Sequence, residues 1–140
     1  MMIVSFIIMY AVMFANVDSV DHIMLSSMRT YMAILMIAPM AVSMMLFMWG
    51  MYENKKLNKV IIGLAFIIFA VTFYMMRTQA GISDVDYMKG MIPHHSSAIL
   101  TSQESDLRDP ETKKLAGEII KAQEEEIALM KELIEKLDKR

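Results

Sequence analysis

Two adjacent histidines follow two methionines in the segment MKGMIPHHSSAILTS, residues 88–102. On a helix, residues spaced i, i+3 and i+7 share a face, so Met88, Met91 and His95 are predicted to point in one direction. His94 lies about 100° away, at the edge of that face. Thioether and imidazole groups together favour Cu(I), whereas imidazole with carboxylate or amide oxygens suits Cu(II). The segment therefore predicts a soft-metal site.

The same spacing recurs near the C-terminus, where Gln123, Glu126 and Met130 are again i, i+3 and i+7. Glu126 is predicted to lie at the centre of an apolar stripe. The apolar members of that stripe are Leu115, Ile119, Ala122, Met130, Leu133 and Leu137. Because a buried carboxylate without a partner is costly, Glu126 needs a hydrogen bond, a counter-charge or a metal.

Two helices are predicted to carry these residues, over 84–106 and 110–138. Asp109 is a suitable N-cap for the second helix, and Pro110 suits its first position. A connection this short predicts an antiparallel hairpin. Pro93 is expected to kink the first helix, because the stripe continues in register across it. The alternative is that Pro93 starts a new helix with both histidines in its first turn.

Helical counting predicts which residues of the two helices lie opposite each other, at about 1.5 Å per residue from the turn. The predicted pairs are His95 with Gln123, Met91 with Glu126, and Met88 with Met130. The hairpin would then hold a column of thioether, imidazole, amide and carboxylate groups between its helices.

From this column we predict two sets of metal-site residues. The ligands are predicted to be His95, Met91, Met88 and Met130, with His94 as an additional ligand. The residues that orient them, or that bind Cu(II), are predicted to be Glu126, Gln123 and Asp84. The alternative is an ordinary core in which His95 is hydrogen-bonded and methionine is flexible filler. The sequence has no nucleophile–base pair, phosphate loop or redox-cofactor motif, so we predict no catalytic residues and no enzyme.

The N-terminal half is far more apolar than the C-terminal half. The chain of 140 residues is 56% hydrophobic, and residues 1–77 hold only 5 Lys/Arg and 3 Asp/Glu, against 9 and 13 in residues 78–140. We predict a membrane domain over 1–77 and an extracytoplasmic metal-binding hairpin over 78–140. The absence of a basic footprint predicts no nucleic-acid partner, and the absence of cysteine excludes disulfides and thiolate sites.

Three apolar runs, at about 1–17, 31–51 and 60–76, are predicted to be transmembrane helices. The first lacks the basic start and cleavage pattern of a signal peptide, so we read it as a retained span. The link between the second and third runs carries three lysines, which predicts an inner (cytoplasmic) membrane protein with that link and the N-terminus in the cytoplasm, and residues after Arg77 in the periplasm. A methionine row recurs every four residues in the second run. Its members are Met32, Met36, Met40, Met44 and Met48, which either face lipid or line a path for a soft cation.

The C-terminal half resembles a known family. The pattern D-x-x-[FY]-x-x-x-M-I-P-H-H-x-x-A-I, followed by D-P and by L-A-x-x-I-I-x-x-Q-x-x-E-I-x-x-M, covers nearly all of residues 78–140. It is similar to a bacterial family of domains of unknown function, whose members are small, helical and ferritin-like and several of which are linked to copper binding and copper resistance outside the cytoplasm. The three-span front end resembles a membrane-anchored subgroup. Many members carry a methionine where this chain has Thr101, which removes one candidate soft ligand.

These observations favour an all-α protein with three transmembrane helices and a two-helix hairpin, which self-association would turn into a ferritin-like four-helix bundle. The resemblance implies copper as the metal, with Cu(I) favoured and Cu(II) as the second choice. The expected partners are the bilayer, the metal and further copies of the chain. The first alternative function is a metal-free assembly module. The second is a di-iron carboxylate protein, which the absence of any Glu-x-x-His sequence disfavours. Whether the metal is stored, sensed, delivered or transported is left open.

Overall fold

In the computed structural model, which describes residues 2–139, the chain is all-helical, with five α-helices, one short 3-10 turn at Val20–His22 and no strand within those residues. The helices are α1 (Met2–Val12), α2 (Ser27–Phe47), α3 (Lys55–Thr78), α4 (Asp84–Glu104) and α5 (Pro110–Asp138). They form two compact units. One contains α1, α2 and α3, and the other contains α4, α5 and the segment Met13–Ser26.

In the first unit, α2 and α3 pack against each other along small buried residues. Ala33 and Ala38 of α2 and Ala65 and Thr72 of α3 are all buried, and small side chains allow two helix backbones to approach closely. Both helices have the length and hydropathy that crossing a bilayer requires, yet only 17% and 11% of their most apolar windows are buried. A core helix of a soluble protein would be mostly buried, so this exposed apolar surface favours a lipid environment.

The predicted first transmembrane helix is not confirmed. Its helical part, α1, has 11 residues, which span roughly 16 Å of a hydrocarbon core about 30 Å thick. The chain leaves the helix after Val12, and the rest of the apolar run belongs to the other unit. The described residues therefore contain two helices long enough to span a membrane, α2 and α3.

In the second unit, α4 and α5 form the predicted hairpin. The α5 boundaries agree with the prediction, and the Asp109 side chain accepts the Thr112 backbone N–H at 2.7 Å as the N-cap. The Ser83 hydroxyl caps α4 in the same way, accepting the Asp86 N–H at 3.2 Å. Helix α4 continues through Pro93, so the alternative that Pro93 starts a new helix is wrong.

The hairpin core is formed by a different face of α5 from the one predicted. Met88, Ile92 and Ile99 of α4 pack against Ile127 and Ile134 of α5. The placement of Glu126 at the centre of the buried stripe is wrong, because its side chain is 55% exposed. Leu115 and Leu133, in the predicted stripe, are 55% and 38% exposed. The reason is that α5 carries two neighbouring apolar stripes, and α4 covers only one of them.

The segment Met13–Ser26 packs on the same hairpin, which the sequence did not indicate. The fully buried Ser96 hydroxyl accepts the Asp18 backbone N–H at 2.8 Å and is hydrogen-bonded to His22 Nδ1 at 2.9 Å. Met24 contacts the hairpin core, and Asp21 forms an ion pair with Lys131. That ion pair holds the pKa of Asp21 far below its usual value, and the hydrogen bond from the Ser19 hydroxyl has a smaller effect in the same direction.

Candidate metal site

A groove between α4 and α5 contains six of the eight predicted metal-site residues. They are Asp84, Met88, Met91 and His95 on α4 and Glu126 and Met130 on α5. The groove has a volume of about 740 Å³ and is lined mainly by apolar atoms. The α4 residues lie at positions i, i+4, i+7 and i+11, so a regular helix brings them to one side of the groove.

His95 lies opposite Glu126, since its Nδ1 is 3.1 Å from the Glu126 Oε2. The predicted register, with His95 level with Gln123 and Met91 level with Glu126, is therefore wrong by about one turn. Helical counting assumed about 1.5 Å per residue throughout. The connection after α4 contains extended residues at Ser105 and Asp109, which advance about 3.3 Å each. The first residue of α5 therefore lies further beyond the end of α4 than helical counting allows.

The His95 imidazole is mostly buried, and its Nδ1 lacks a hydrogen bond. Its side chain is 12% exposed, and its Nδ1 is inaccessible and has no hydrogen-bond partner. The Glu126 Oε2 lies within ion-pair distance of this nitrogen, at 3.1 Å, without forming a hydrogen bond with it. Burial lowers the pKa of His95, and the neighbouring Glu126 carboxylate opposes this shift. Burial is the larger of the two effects, so the net shift favours the neutral imidazole.

The thioethers in this groove differ in exposure. Met88 is 7% exposed and belongs to the hairpin core, whereas Met91 and Met130 are half-buried. A thioether needs no deprotonation to bind a metal. Within residues 2–139, no three His, Cys, Asp or Glu side chains lie together in a way that could hold a metal ion. The chemistry of the groove is thus that of soft sulfur and imidazole nitrogen donors, with two carboxylates, those of Asp84 and Glu126, in its lining.

Two of the predicted site residues lie elsewhere. His94 is exposed, and its ring centroid is 6.1 Å from that of His95. Gln123 is half-buried. Neither residue lines the groove. His94 is offset because consecutive helical residues point about 100° apart, and Gln123 is offset by the one-turn shift in register.

Comparison with known proteins agrees with the extent of this hairpin. Residues 75–139 match the family model described as "Domain of unknown function (DUF305)". An uncharacterized protein of Acanthamoeba polyphaga mimivirus, L153, is 37% identical over 138 residues, covering 96% of this chain and 89% of that protein. The chain belongs to the DUF305 family. No solved structure matches it.

The DUF305 match confirms the sequence resemblance at the level of a family of unknown function. The matched residues begin in the last turn of α3 and include all of α4 and α5 up to residue 139. The viral relative also aligns with the apolar N-terminal half.

Sequence reasoning missed five residues that line the groove. They are Tyr87, Leu129, Leu133, Lys136 and Leu137. Leu133 and Leu137 were expected in the core, and the others were not singled out. The helical period would have found them, because Tyr87 precedes Met91 by four residues and Leu129 follows Glu126 by three. They make the groove wider and more apolar than the predicted ligand column.

Proposed function

We propose that this DUF305 protein is a membrane-anchored, extracytoplasmic copper-binding protein that serves copper tolerance or handling. The observation that carries this proposal is the groove in which the His95 imidazole, whose Nδ1 is inaccessible and forms no hydrogen bond, shares one cavity with three thioethers. A soft monovalent ion such as Cu(I) prefers this donor set. The resemblance to copper-linked members of the family supports the choice of copper.

Within the site, His95 supplies the nitrogen ligand, and Met91 and Met130 are the thioethers nearest to solvent. Met88 is a further sulfur donor deeper in the groove. Burial lowers the pKa of His95 and so favours the neutral imidazole, which is the form that binds a metal. Glu126, at 3.1 Å from Nδ1, orients the ring or joins the ligands for Cu(II).

The membrane anchor in this proposal is the α2–α3 pair, with residues 52–59 in the cytoplasm and the DUF305 hairpin outside. Lys55, Lys56 and Lys59 support this orientation. The methionine row of α2 is a poorer candidate for a copper path. Three of its members, Met32, Met36 and Met40, are 43%, 48% and 38% exposed. They fit contact with lipid better than a lined channel.

The test is an anaerobic Cu(I) competition titration of the full-length protein in detergent, with Cu(II) and Fe(II) titrated in parallel. We expect tight stoichiometric Cu(I) binding, and we expect His95→Ala to weaken it by at least about tenfold, as loss of a ligand or its supporting group does. Met91→Leu and Met130→Leu keep apolar volume and should weaken it as well. Equal affinity of His95→Ala and the unaltered chain would overturn the proposal.

Two matched controls make the titration specific. His94→Ala removes the exposed neighbouring imidazole and should change Cu(I) affinity much less than His95→Ala. Met51→Leu removes a thioether that is 70% exposed and distant in sequence from the hairpin, and it should have no effect. Tight Fe(II) binding without Cu(I) binding would instead favour a hard-metal protein.

A further inference from the structure

Helix α5 carries two apolar stripes with identical spacing. The inner stripe, which faces α4, consists of Ala116, Ile120, Gln123, Ile127, Met130, Ile134 and Leu137. The outer stripe, shifted by one residue, consists of Leu115, Ile119, Ala122, Glu126, Leu129, Leu133 and Lys136. Both alternate steps of four and three residues, which is the heptad pattern of helices that pack side by side. One α4 helix can cover only one stripe.

The outer stripe is uncovered in the single chain. Leu115 and Leu129 are each 55% exposed, and Leu133 is 38% exposed. Unlike the exposed apolar side chains of α2 and α3, these belong to a helix with a strongly charged opposite face, which is unsuited to a bilayer interior. A repeated apolar stripe on a water-soluble helix indicates a helical partner.

We propose that a second copy of this chain covers the outer stripe, with the two α5 helices antiparallel and Glu126 of each copy paired with the partner's Lys136. Leu129 of each copy then packs against Leu133 of the other copy. The two-fold axis passes near residue 131. Because the same face is used on both copies, the interface closes on itself.

Charge complementarity selects this arrangement. Glu126 and Lys136 flank Leu129 and Leu133 at equal distances along the stripe, so an antiparallel copy matches each carboxylate with an ammonium. A parallel copy would place Glu126 against Glu126 and Lys136 against Lys136, which is repulsive. Within residues 2–139, Lys136 forms no ion pair, so it is available to the partner.

The groove itself supports the same register. On α5 it extends from Glu126 to Leu137, which is the segment that this pairing covers. The main competing antiparallel register would set Leu133 against Leu115 and Leu129 against Ile119. That register would face Glu126 with the partner's Ala122 and leave a carboxylate in an apolar contact without a partner, which is costly.

The partner copy thereby completes the metal site. Its Lys136 approaches the Glu126 carboxylate, which in the single chain lies beside His95 Nδ1. Pairing Glu126 with an ammonium leaves the His95 nitrogen to a ligand, and the partner's leucines keep water from the groove. This role in metal binding rests on the proposed function, whereas the pairing of the helices does not.

Charge reversal in metal-free, full-length protein in detergent tests the pairing. Lys136→Glu alone and Glu126→Lys alone should each weaken dimer formation by roughly tenfold, because two attractive ion pairs become repulsive. Both changes in one chain should restore it. Sedimentation equilibrium measures the dimer fraction, and circular dichroism confirms that each variant is folded. Failure of the double variant to recover would overturn the proposed register.

Cross-linking gives a second readout, and the chain has no cysteine of its own. Full-length Leu129→Cys and Leu133→Cys proteins, mixed and mildly oxidised, should form a disulfide-linked pair. Mixing Leu133→Cys with Leu115→Cys should give far less of it. Preferential 133–115 linkage, or no linkage in either mixture, would overturn the proposal.

The two proposals fail separately. Cross-linked dimers that bind no Cu(I) would overturn the copper function and leave the interface standing. Cu(I) binding with identical affinity in a chain that stays monomeric under all conditions would overturn the interface alone. If both hold, Lys136→Gln should change Cu(I) affinity, while Lys114→Gln, an exposed lysine outside the outer stripe, should not.

Discussion

At the scale of single residues, the small side chain of Ser96 connects α4 to a segment that is distant in the sequence. It is fully buried in α4, where its hydroxyl meets the Asp18 backbone N–H and His22 Nδ1. Both partners are more than 70 residues away in the sequence. A buried polar group that loses its partner bears the full cost of desolvation. These two hydrogen bonds therefore hold the segment Met13–Ser26 against the hairpin.

We predict that Ser96→Ala releases this segment. Removing the hydroxyl leaves the Asp18 N–H and His22 without their partner, at a cost of about 1–3 kcal/mol. Hydrogen exchange of peptides within residues 13–26 should accelerate by roughly tenfold or more. Ser97→Ala is the matched control, since the Ser97 hydroxyl accepts the Asn16 side-chain amide in an exposed position, at 2.6 Å. Equal exchange in both variants would contradict the role given to Ser96.

The residues of the candidate site show how far the sequence could lead. The types and helical spacing of Met88, Met91 and His95 were enough to place them in one groove, because one regular helix fixes their relative directions. Which α5 residues lie opposite them depends on the path of the connection between the helices. Helical counting did not predict that path, so the predicted register was wrong. The His22–Ser96 contact left no periodic signal, since it joins a loop to a distant helix.

At the scale of elements, the start of α5 depends on a single charged cap. The Asp109 carboxylate accepts the Thr112 backbone N–H at 2.7 Å and the Thr112 hydroxyl at 2.8 Å. Both bonds lower the pKa of Asp109 below its ordinary 3.8, and the bond with the backbone N–H has the larger effect. The sequence predicted this boundary correctly because capping chemistry is local.

The depressed pKa of Asp109 fixes the sign of a pH effect. The folded chain binds fewer protons at this site than the unfolded chain, so the cap contributes its full stability above pH 3.8 and loses it as pH falls through the lowered pKa. Asp109→Asn keeps an acceptor oxygen but cannot titrate. Circular dichroism between pH 2 and pH 6 should show the unaltered chain losing an increment of stability that Asp109→Asn does not lose. Parallel acid transitions in the two proteins would contradict this.

The two stripes of α5 mark where sequence reasoning about elements ends. Each stripe has the same period and similar apolar content, so periodicity alone does not decide which one α4 covers. The structure places Ile127 and Ile134 inside and leaves Leu129 and Leu133 exposed. The prediction chose the stripe containing Glu126, which is the face that we assign to the second copy.

At the scale of the whole molecule, the chain order constrains membrane topology. The segment Met13–Ser26 precedes α2 and packs in one compact unit with α4 and α5, which follow α3. Two crossings, by α2 and α3, return the chain to the side from which it started. The contacts of Ser96 and Lys131 with this segment therefore require that both candidate spans cross the membrane, or that neither does.

This requirement predicts that residues 20 and 114 label alike, and the charge rule adds which side of the membrane they face. Single cysteines replacing Val20 and Lys114, which are 81% and 80% exposed, should react alike with an impermeant maleimide in sealed membranes. A cysteine replacing Glu53, in the exposed connection between α2 and α3, should react only after the membrane is opened, because the lysines beside it favour the cytoplasm.

Opposite labelling at 20 and 114 would separate the loop from the hairpin and contradict the compact unit. Labelling of all three from outside would mean that α2 and α3 do not span. Protection of 20 and 114 with labelling of 53 would keep both spans and reverse their orientation, which would put the groove of the proposed copper site in the cytoplasm.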